Sequence, residues 1–405
     1  MKPGTPQFVG GRLREVREVR GITAVDLADQ IGVSPQAVSQ YERGGQTPSP
    51  DVLRRIGEVL EVPTHFLLRP VRSEESAVLF FRSLSSATKR DRVRAARKYE
   101  WLRDVVGYIH GFVEFPGVRF PELHIPEDPR QLRDEDIEEA ARTLRKTWGL
   151  GDGPISNVVW LAENNGVLVA RQSLNSEALD AFSQWNASDQ RPYIVVGTDK
   201  ASAVRARFNL AHELAHVLLH RNVPTSMFNT AAIFRLLEDQ ANRFASAFLL
   251  PAVTFAQSVY SVTLDGFRAI KEQWGVSIAA MIMRSSQMRL VNESQTQRLF
   301  MNRSRRGWNT TEPLDDVLPA EEPRFLRRAF DLLLEQGLVS RDQIELQLAR
   351  RASDIEAVVG LPRGYLAREL NGVRLKMDSA SISRPEPAQH REDLVFPFPP
   401  MRNRI

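Results

Sequence analysis

The stretch FNLAHELAHVLLH, residues 208–220, holds three of the seven histidines of the chain, spaced four residues apart. Residues at this spacing lie on one face of an α-helix. His212 and His216 can therefore bind one Zn²⁺, or alternatively Mn²⁺, with zinc distances of about 2.0 to 2.1 Å. Glu213, one position round the helix, can take a proton from water beside the metal. The pattern predicts metal-assisted hydrolysis, and the alternative is a buried helix whose histidines bond to backbone carbonyls.

A zinc site of this kind needs a third protein ligand. His220 would lie about 12 Å along the helix from His212, at about 1.5 Å per residue, which is too far for one ion to bind both. A site built from His216 and His220 would leave Glu213 badly placed as a base. On the next helical segment, EDQANRFA, Glu238 lies at the edge of an apolar stripe and is the candidate ligand; an ordinary surface acid is the alternative interpretation.

Apolar periodicity and turn residues predict the elements that carry these side chains, and the predicted fold class is multidomain α+β. The predicted parts are an all-α helix-turn-helix domain at 1–70, a helical connector and Pro-rich linker at 71–130, an α+β domain with a small sheet at 131–285, a mostly helical region at 286–380 and a disordered tail at 381–405.

Composition limits the function classes. The chain has no cysteine, which excludes disulfides and thiolate metal sites and suits a reducing compartment. No apolar run approaches the roughly 18 residues of a membrane span, and the start of the chain lacks the apolar core of a signal peptide. We therefore expect a cytoplasmic protein without a membrane partner. The net charge of +4 is too small to indicate a nucleic-acid partner without a motif.

The stretch RARFNLAHELAHVLLH, followed by EDQANRFASAFLLP, resembles the ImmA/IrrE family of zinc-dependent metallopeptidases over roughly residues 150 to 285. Its pattern is HExxH, then ExxAN, a following FA and a closing LLP. The resemblance implies a zincin-like α+β fold, with His212, His216 and Glu238 as metal ligands and Glu213 as general base. One departure is Gln240, where many members have a second Glu. Family members typically cleave a partner repressor.

The segment from Ile22 to Pro63 resembles the Xre, or phage-repressor-like, helix-turn-helix family. Proteins of this fold usually act as dimers on palindromic operators, so we expect a homodimer and a double-stranded DNA partner. Ala24 departs from the Gln that the family commonly has at the start of the second helix. The face that would meet base edges consists of Gln36, Ala37, Ser39 and Gln40, and Arg43 would contact phosphate.

Together these patterns predict a transcriptional regulator whose endopeptidase domain cleaves a repressor or other regulatory protein in a stress, phage or mobile-element response. The alternative is a repressor or antitoxin whose zincin domain is a non-catalytic sensory or dimerisation module. A helix-interaction module without DNA binding is the alternative for the first domain. The basic run between Lys89 and Lys98 is interpreted as a solvated helix face, with a phosphate-binding surface as the alternative.

Overall fold

The computed structural model describes residues 4–71, 80–81, 87–199, 202–224, 226–227, 230–367 and 396–397. Within these residues the chain forms sixteen α-helices and six strands, and three of the strands are only two residues long. The predicted fold class, a multidomain α+β chain with a helical N-terminal domain and a small sheet, is confirmed. The predicted domain boundaries stay predictions.

The N-terminal domain is helical throughout, as the turn residues predicted. Thr23 and Asp26 form a capping box at the start of the second helix, Ser34 caps the third, and Gly32 between them adopts a left-handed conformation. The helices are α1 (Gly10–Arg20), α2 (Ala24–Ile31), α3 (Pro35–Glu42) and α4 (Pro50–Val59), followed by a 3-10 helix at Thr64–Leu68.

The connector contains one long helix and an extended strap. Its elements are β1 (Phe80–Phe81), α5 (Lys89–His110) and β2 (Val113–Glu114). From 115 to 128 the chain has no helix or strand, as predicted for the Pro-rich stretch, and a 3-10 helix follows at Pro129–Gln131. The strap is bound to the next part of the chain, because Trp148 Nε1 donates to Arg119 O at 2.6 Å.

The α+β part begins with two helices and then forms the sheet. Its elements are α6 (Asp134–Thr147), α7 (Val158–Asn164), β3 (Leu168–Gln172), β4 (Ala181–Asn186), β5 (Arg191–Gly197), α8 (Ala203–Leu219) and α9 (Ala231–Leu249). The strand order is β1-β4-β5-β3, in which β3 is parallel to β5 and β4 is antiparallel to it. The three longer strands lie in the α+β domain for which the sequence predicted a small sheet.

The C-terminal part is helical, as predicted. Its helices are α10 (Ala252–Ser258), α11 (Leu264–Trp274), α12 (Ile278–Gln287), α13 (Glu293–Arg305), α14 (Phe325–Glu335), α15 (Arg341–Leu348) and α16 (Ala352–Val359). The predicted disordered tail lies outside the described residues except for β6 (Phe396–Pro397), which pairs with β2 in parallel.

The sheet separates two hydrophobic cores that do not follow chain order. Alternate residues of a strand point to opposite faces. Leu168 and Val195 face a core shared with α1 to α5 and α14 to α16, whereas Val169 and Ile194 face a core shared with α6 to α9, α11 and α12. The last three helices therefore pack on the side of the N-terminal domain, and α8 and α9 occupy the other side.

Two buried carboxylates, those of Glu321 and Glu163, connect the start of α14 with α7. Glu321 accepts from the backbone N–H of Val158 and Val159 at the start of α7, at 2.8 and 3.1 Å. Glu163, on α7, accepts at 3.0 Å from the N–H of Arg324 and Phe325 at the start of α14. Each bond satisfies a helix N–H that has no partner within its own helix.

Candidate metal centre and nucleic-acid interface

The metal-binding side chains predicted from the sequence meet between α8 and α9. His212 Nε2 and His216 Nε2 are 3.0 Å apart, and each lies near Glu238, at 3.5 and 3.4 Å from its carboxylate oxygens. Zinc distances of about 2.0 to 2.1 Å in a tetrahedral site place neighbouring ligand atoms about 3.3 Å apart. The observed separations are close to that value.

The hydrogen bonds of His212 fix which of its nitrogens faces the cluster. Its Nδ1 lies 3.0 Å from Asn242 Oδ1, an acceptor, so Nδ1 carries the proton and Nε2 presents a lone pair. Asn242 lies on α9 one turn beyond Glu238. Lone pairs of two imidazoles and a carboxylate that converge in this way repel one another unless a cation lies among them. The arrangement therefore fits a divalent metal.

Glu238 has the charge that a metal ligand requires. Burial would raise its pKa, but the effect of the neighbouring His212 and His216 rings outweighs burial and lowers the pKa to about 2. The carboxylate is therefore ionised at neutral pH. Its Oε1 is buried and makes no hydrogen bond to the described residues, so this atom remains available to a cation.

Glu213 is fully buried and is held by the sheet. Its Oε2 accepts a hydrogen bond from Ser183 Oγ, on β4, at 2.6 Å. His212 is likewise 0% exposed and His216 only 2%, so these groups act in a water-poor, low-dielectric environment where electrostatic effects are strong. Nothing in the sequence around Ser183 indicated this contact, because it joins residues 30 positions apart.

His220 lies behind His216 and outside the group of ligand atoms. Its Nδ1 is 2.9 Å from His216 Nδ1, and its Nε2 is 3.1 Å from Gln240 Oε1. Burial holds the pKa of His220 well below its ordinary value, so the ring is neutral. Among the described residues, the cluster with suitable donor atoms is His212, His216 and Glu238, all within 4.8 Å of one another.

The sequence analysis missed Asn242 and the contact between His220 and Gln240. Helical spacing could have identified Asn242, because a residue four positions after Glu238 lies on the same helix face and must also face α8. Gln240 was noted only as a departure from the family pattern. Gln240 is only 4% exposed and bonds to His220, which explains why a glutamine suits this position.

The predicted DNA-contacting residues lie along the outer side of α3. Gln36, Gln40 and Arg43 are exposed and Ala37 and Ser39 are half-buried. Val38 and Tyr41 of the same helix are buried in the first core. The helix therefore presents an uncharged polar face ending in a cation, which suits a helix that enters the major groove.

The basic run of α5 binds other parts of the chain, contrary to the solvated face that was predicted. Arg97 pairs with Glu18 of α1 at 2.8 Å, and Lys98 Nζ donates to Ser173 O at 2.7 Å. Arg90 donates to Gly21 O. Since these cations are neutralised or bonded within the protein, α5 holds α1 against the sheet and adds little to a phosphate-binding surface.

Further contacts hold the N-terminal domain to α5 and to the C-terminal helices. Trp101 Nε1 donates to Glu15 of α1 at 2.7 Å, and Arg20 donates to both oxygens of Asp354, on α16, at 2.6 and 2.7 Å. A bidentate pair of this kind has a defined geometry. These contacts are made by α1, α5 and α16, and none of them involves a residue of α3.

Comparison with known families confirms both resemblances. Residues 162–286 match a peptidase family described as the IrrE N-terminal-like domain, and residues 13–67 match a helix-turn-helix family. The chain therefore combines a helix-turn-helix domain of the kind found in DNA-binding regulators with a domain of a peptidase family. No helix among the described residues is long and apolar enough to cross a membrane.

Individual relatives match a short stretch of the chain. The chain is 40% identical over 62 residues to a proposed HTH-type transcriptional regulatory protein of Pyrococcus furiosus, a match covering 15% of this chain and 19% of that protein. It is 36% identical over 62 residues to the HTH-type transcriptional regulator SinR of Bacillus subtilis, covering 15% of this chain and 56% of SinR. The matched stretch thus spans less than two thirds of either relative.

Proposed function

We propose that this protein is a DNA-binding transcriptional regulator with a zinc-dependent endopeptidase domain that cleaves a repressor or other regulatory protein. The observation that carries the proposal is the convergence of His212 Nε2, His216 Nε2 and the ionised Glu238 beside Glu213. A structural metal site would not need a carboxylate at Glu213. The match to a peptidase family supports peptide bonds as the target.

The chemistry is divided between the metal and the protein. Zinc held by His212, His216 and Glu238 would polarise a water molecule and the scissile carbonyl. Glu213 is the base that takes the proton from that water and later passes it to the departing amine. Ser183 donates to one oxygen of Glu213, so the carboxylate is held in one orientation.

For the DNA-binding part we propose that two copies of the chain bind a palindromic operator. Gln36 and Gln40 lie one turn apart on the exposed face of α3, and a glutamine amide can bind adenine through two hydrogen bonds. Arg43 would contact phosphate at the end of the helix. The similarity of residues in the first domain to SinR supports a regulatory role.

The endopeptidase proposal can be tested without knowing the substrate. Zinc-loaded wild-type protein and the Glu213→Gln variant are each incubated with a lysate of cells that lack the protein, and new peptide N-termini are identified by labelling and mass spectrometry. We expect a small set of cleavage sites with the wild type that is missing with the variant. Identical sets from both proteins would refute the proposed peptidase.

A further inference from the structure

We infer that His220 and Gln240 form a hydrogen-bonded relay that fixes the tautomer of His216 and so positions it as a metal ligand. This inference rests on the proposed metal centre and concerns two residues that do not touch the metal. The relay runs from His216 through His220 to Gln240, and all three side chains are buried.

The relay is anchored at Gln240 by the backbone that precedes α6. Gln240 Nε2 donates to Pro129 O at 2.7 Å and lies 3.4 Å from Leu132 O. Carbonyl oxygens can only accept, so the amide nitrogen must face them and Oε1 must face His220. The opposite orientation would place three oxygens together in a site where no solvent can separate them, since Gln240 is only 4% exposed.

The orientation of Gln240 determines the protons on both rings. Oε1 is an acceptor, so His220 Nε2 carries the proton. The ring is fully buried, where a second proton and its charge would be costly, so Nδ1 has a lone pair. His216 Nδ1, 2.9 Å away, must then be the donor. This leaves His216 Nε2 with a lone pair directed at His212 Nε2 and Glu238, as a metal ligand requires.

The two histidine ligands are therefore positioned by different means. His212 is fixed by one direct bond to Asn242 on the facing helix. His216 is fixed by a chain of two side chains that ends at backbone carbonyls. His220 and Gln240 are positioning residues, and their removal should act on metal binding before it acts on folding.

Zinc affinity measured by competition with a chromogenic chelator tests the relay. His220→Leu removes the acceptor for His216, and we expect zinc to bind about 10- to 100-fold more weakly. His220→Asn keeps an acceptor oxygen where Nδ1 stood and should recover most of that loss. Gln240→Leu should weaken binding less than His220→Leu, because His220 remains but its tautomer is no longer enforced.

A matched control is Gln172→Leu. Gln172 is also a buried glutamine, 2% exposed, and also donates to a backbone carbonyl, that of Val358, but it has no path to the cluster. We expect this variant to bind zinc as the wild type does. If Gln172→Leu and Gln240→Leu weaken zinc binding equally, the effect is one of general stability and the relay is refuted.

A second measurement needs no variant to fold. In two-bond ¹H–¹⁵N spectra of the zinc-loaded wild type, His212 and His216 should show the Nδ1–H tautomer and His220 the Nε2–H tautomer. Any other tautomer at His220 would overturn the relay while the metal centre stands. Failure of the wild type to bind zinc would overturn the metal centre and the relay together, so the two failures are distinguishable.

Discussion

Helices α3 and α8 carry the functional side chains of the two halves of this protein in opposite ways. The side chains of α3 that are proposed to contact DNA are exposed or half-buried, whereas His212, Glu213 and His216 of α8 are almost completely buried. An exposed side chain needs only the right helical phase to reach its target. A buried polar side chain also needs partners, because an unsatisfied group in the interior is costly.

The partners on the buried side come from distant parts of the chain. Ser183 of β4 holds Glu213, Asn242 of α9 holds His212, and Gln240 connects His220 to the 3-10 helix before α6. The buried site is therefore sensitive to many positions outside its own helix. The exposed face of α3 should be sensitive mainly to its own residues.

The largest expected effect is on the buried side. Glu213→Gln keeps the size of the side chain and its contact with Ser183 but removes its basicity, so peptide hydrolysis should fall by about 10²- to 10⁴-fold. Zinc affinity and operator binding should stay near wild type, because Glu213 is not one of the converging donor atoms. Rates on an identified substrate, with zinc and DNA titrations of the same sample, check this. A variant that cleaves at the wild-type rate would contradict the role of Glu213.

At Glu163 the effect of burial outweighs the groups that favour the charged carboxylate, so the pKa shifts in the opposite direction from that of Glu238. Burial raises the pKa of Glu163 from 4.5 to about 7, despite hydrogen bonds from two backbone N–H groups that act to lower it. The folded state then binds more protons than the unfolded state between these values, so stability falls as pH rises through this window. We expect Glu163→Gln to reduce this decline, by up to about 3 kcal/mol.

Urea unfolding at several pH values between 4 and 8 measures the slope. The control is Glu58→Gln, which changes an exposed acid paired with Arg54 on α4. Its unfolding curve should keep the wild-type dependence on pH. A Glu163→Gln variant with the same slope as the wild type would show that folding does not shift the pKa of Glu163.

On the exposed side, Gln40→Ala should lower operator affinity while leaving the fold intact. A glutamine that reads one adenine contributes about 1 to 3 kcal/mol of discrimination, which corresponds to roughly a 5- to 150-fold loss at the correct site. Affinity for random DNA should hardly change. Binding of both DNAs, measured at one salt concentration after operator selection, gives the two values. An equal loss on both DNAs would mean that Gln40 does not read a base.

The smallest effect is expected for Arg43→Ala. A single phosphate contact adds affinity without sequence preference, so operator and random DNA should be weakened alike, by a few-fold at moderate salt. The slope of log affinity against log salt should fall in magnitude by about 1. Arg54→Ala, which removes an exposed side chain on α4, is the control and should leave the slope unchanged. A loss confined to the operator would assign Arg43 to base contact instead.

The sequence was most informative where spacing within one helix determines the geometry. His212, Glu213 and His216, and the exposed face of α3, follow from helical periodicity alone. Glu238 required a second helix and an interpretation of its apolar stripe, and the family resemblance selected it. The contacts of Ser183 and Pro129 and the relay through His220 depend on how β4, the 3-10 helix before α6 and α9 pack together. No local sequence pattern encodes that packing.

The basic run of α5 also shows that contacts between distant parts of the chain cannot be predicted from residue spacing. Its spacing was compatible with a solvated face, yet Arg97 and Lys98 find partners on α1 and in the loop after β3. The packing of α14 to α16 beside the N-terminal domain likewise could not be predicted from the order of the helices in the chain, because it depends on which face of the sheet each helix covers.

The most direct test of the central claim is the position of the metal. Crystals of the protein grown with one equivalent of Zn²⁺, measured on both sides of the zinc absorption edge, give an anomalous difference map that locates the ion without assumptions about its ligands. We expect one strong peak per chain within about 2.0 to 2.2 Å of His212 Nε2, His216 Nε2 and a Glu238 oxygen. A peak between His216 and His220, or none near α8, would contradict it.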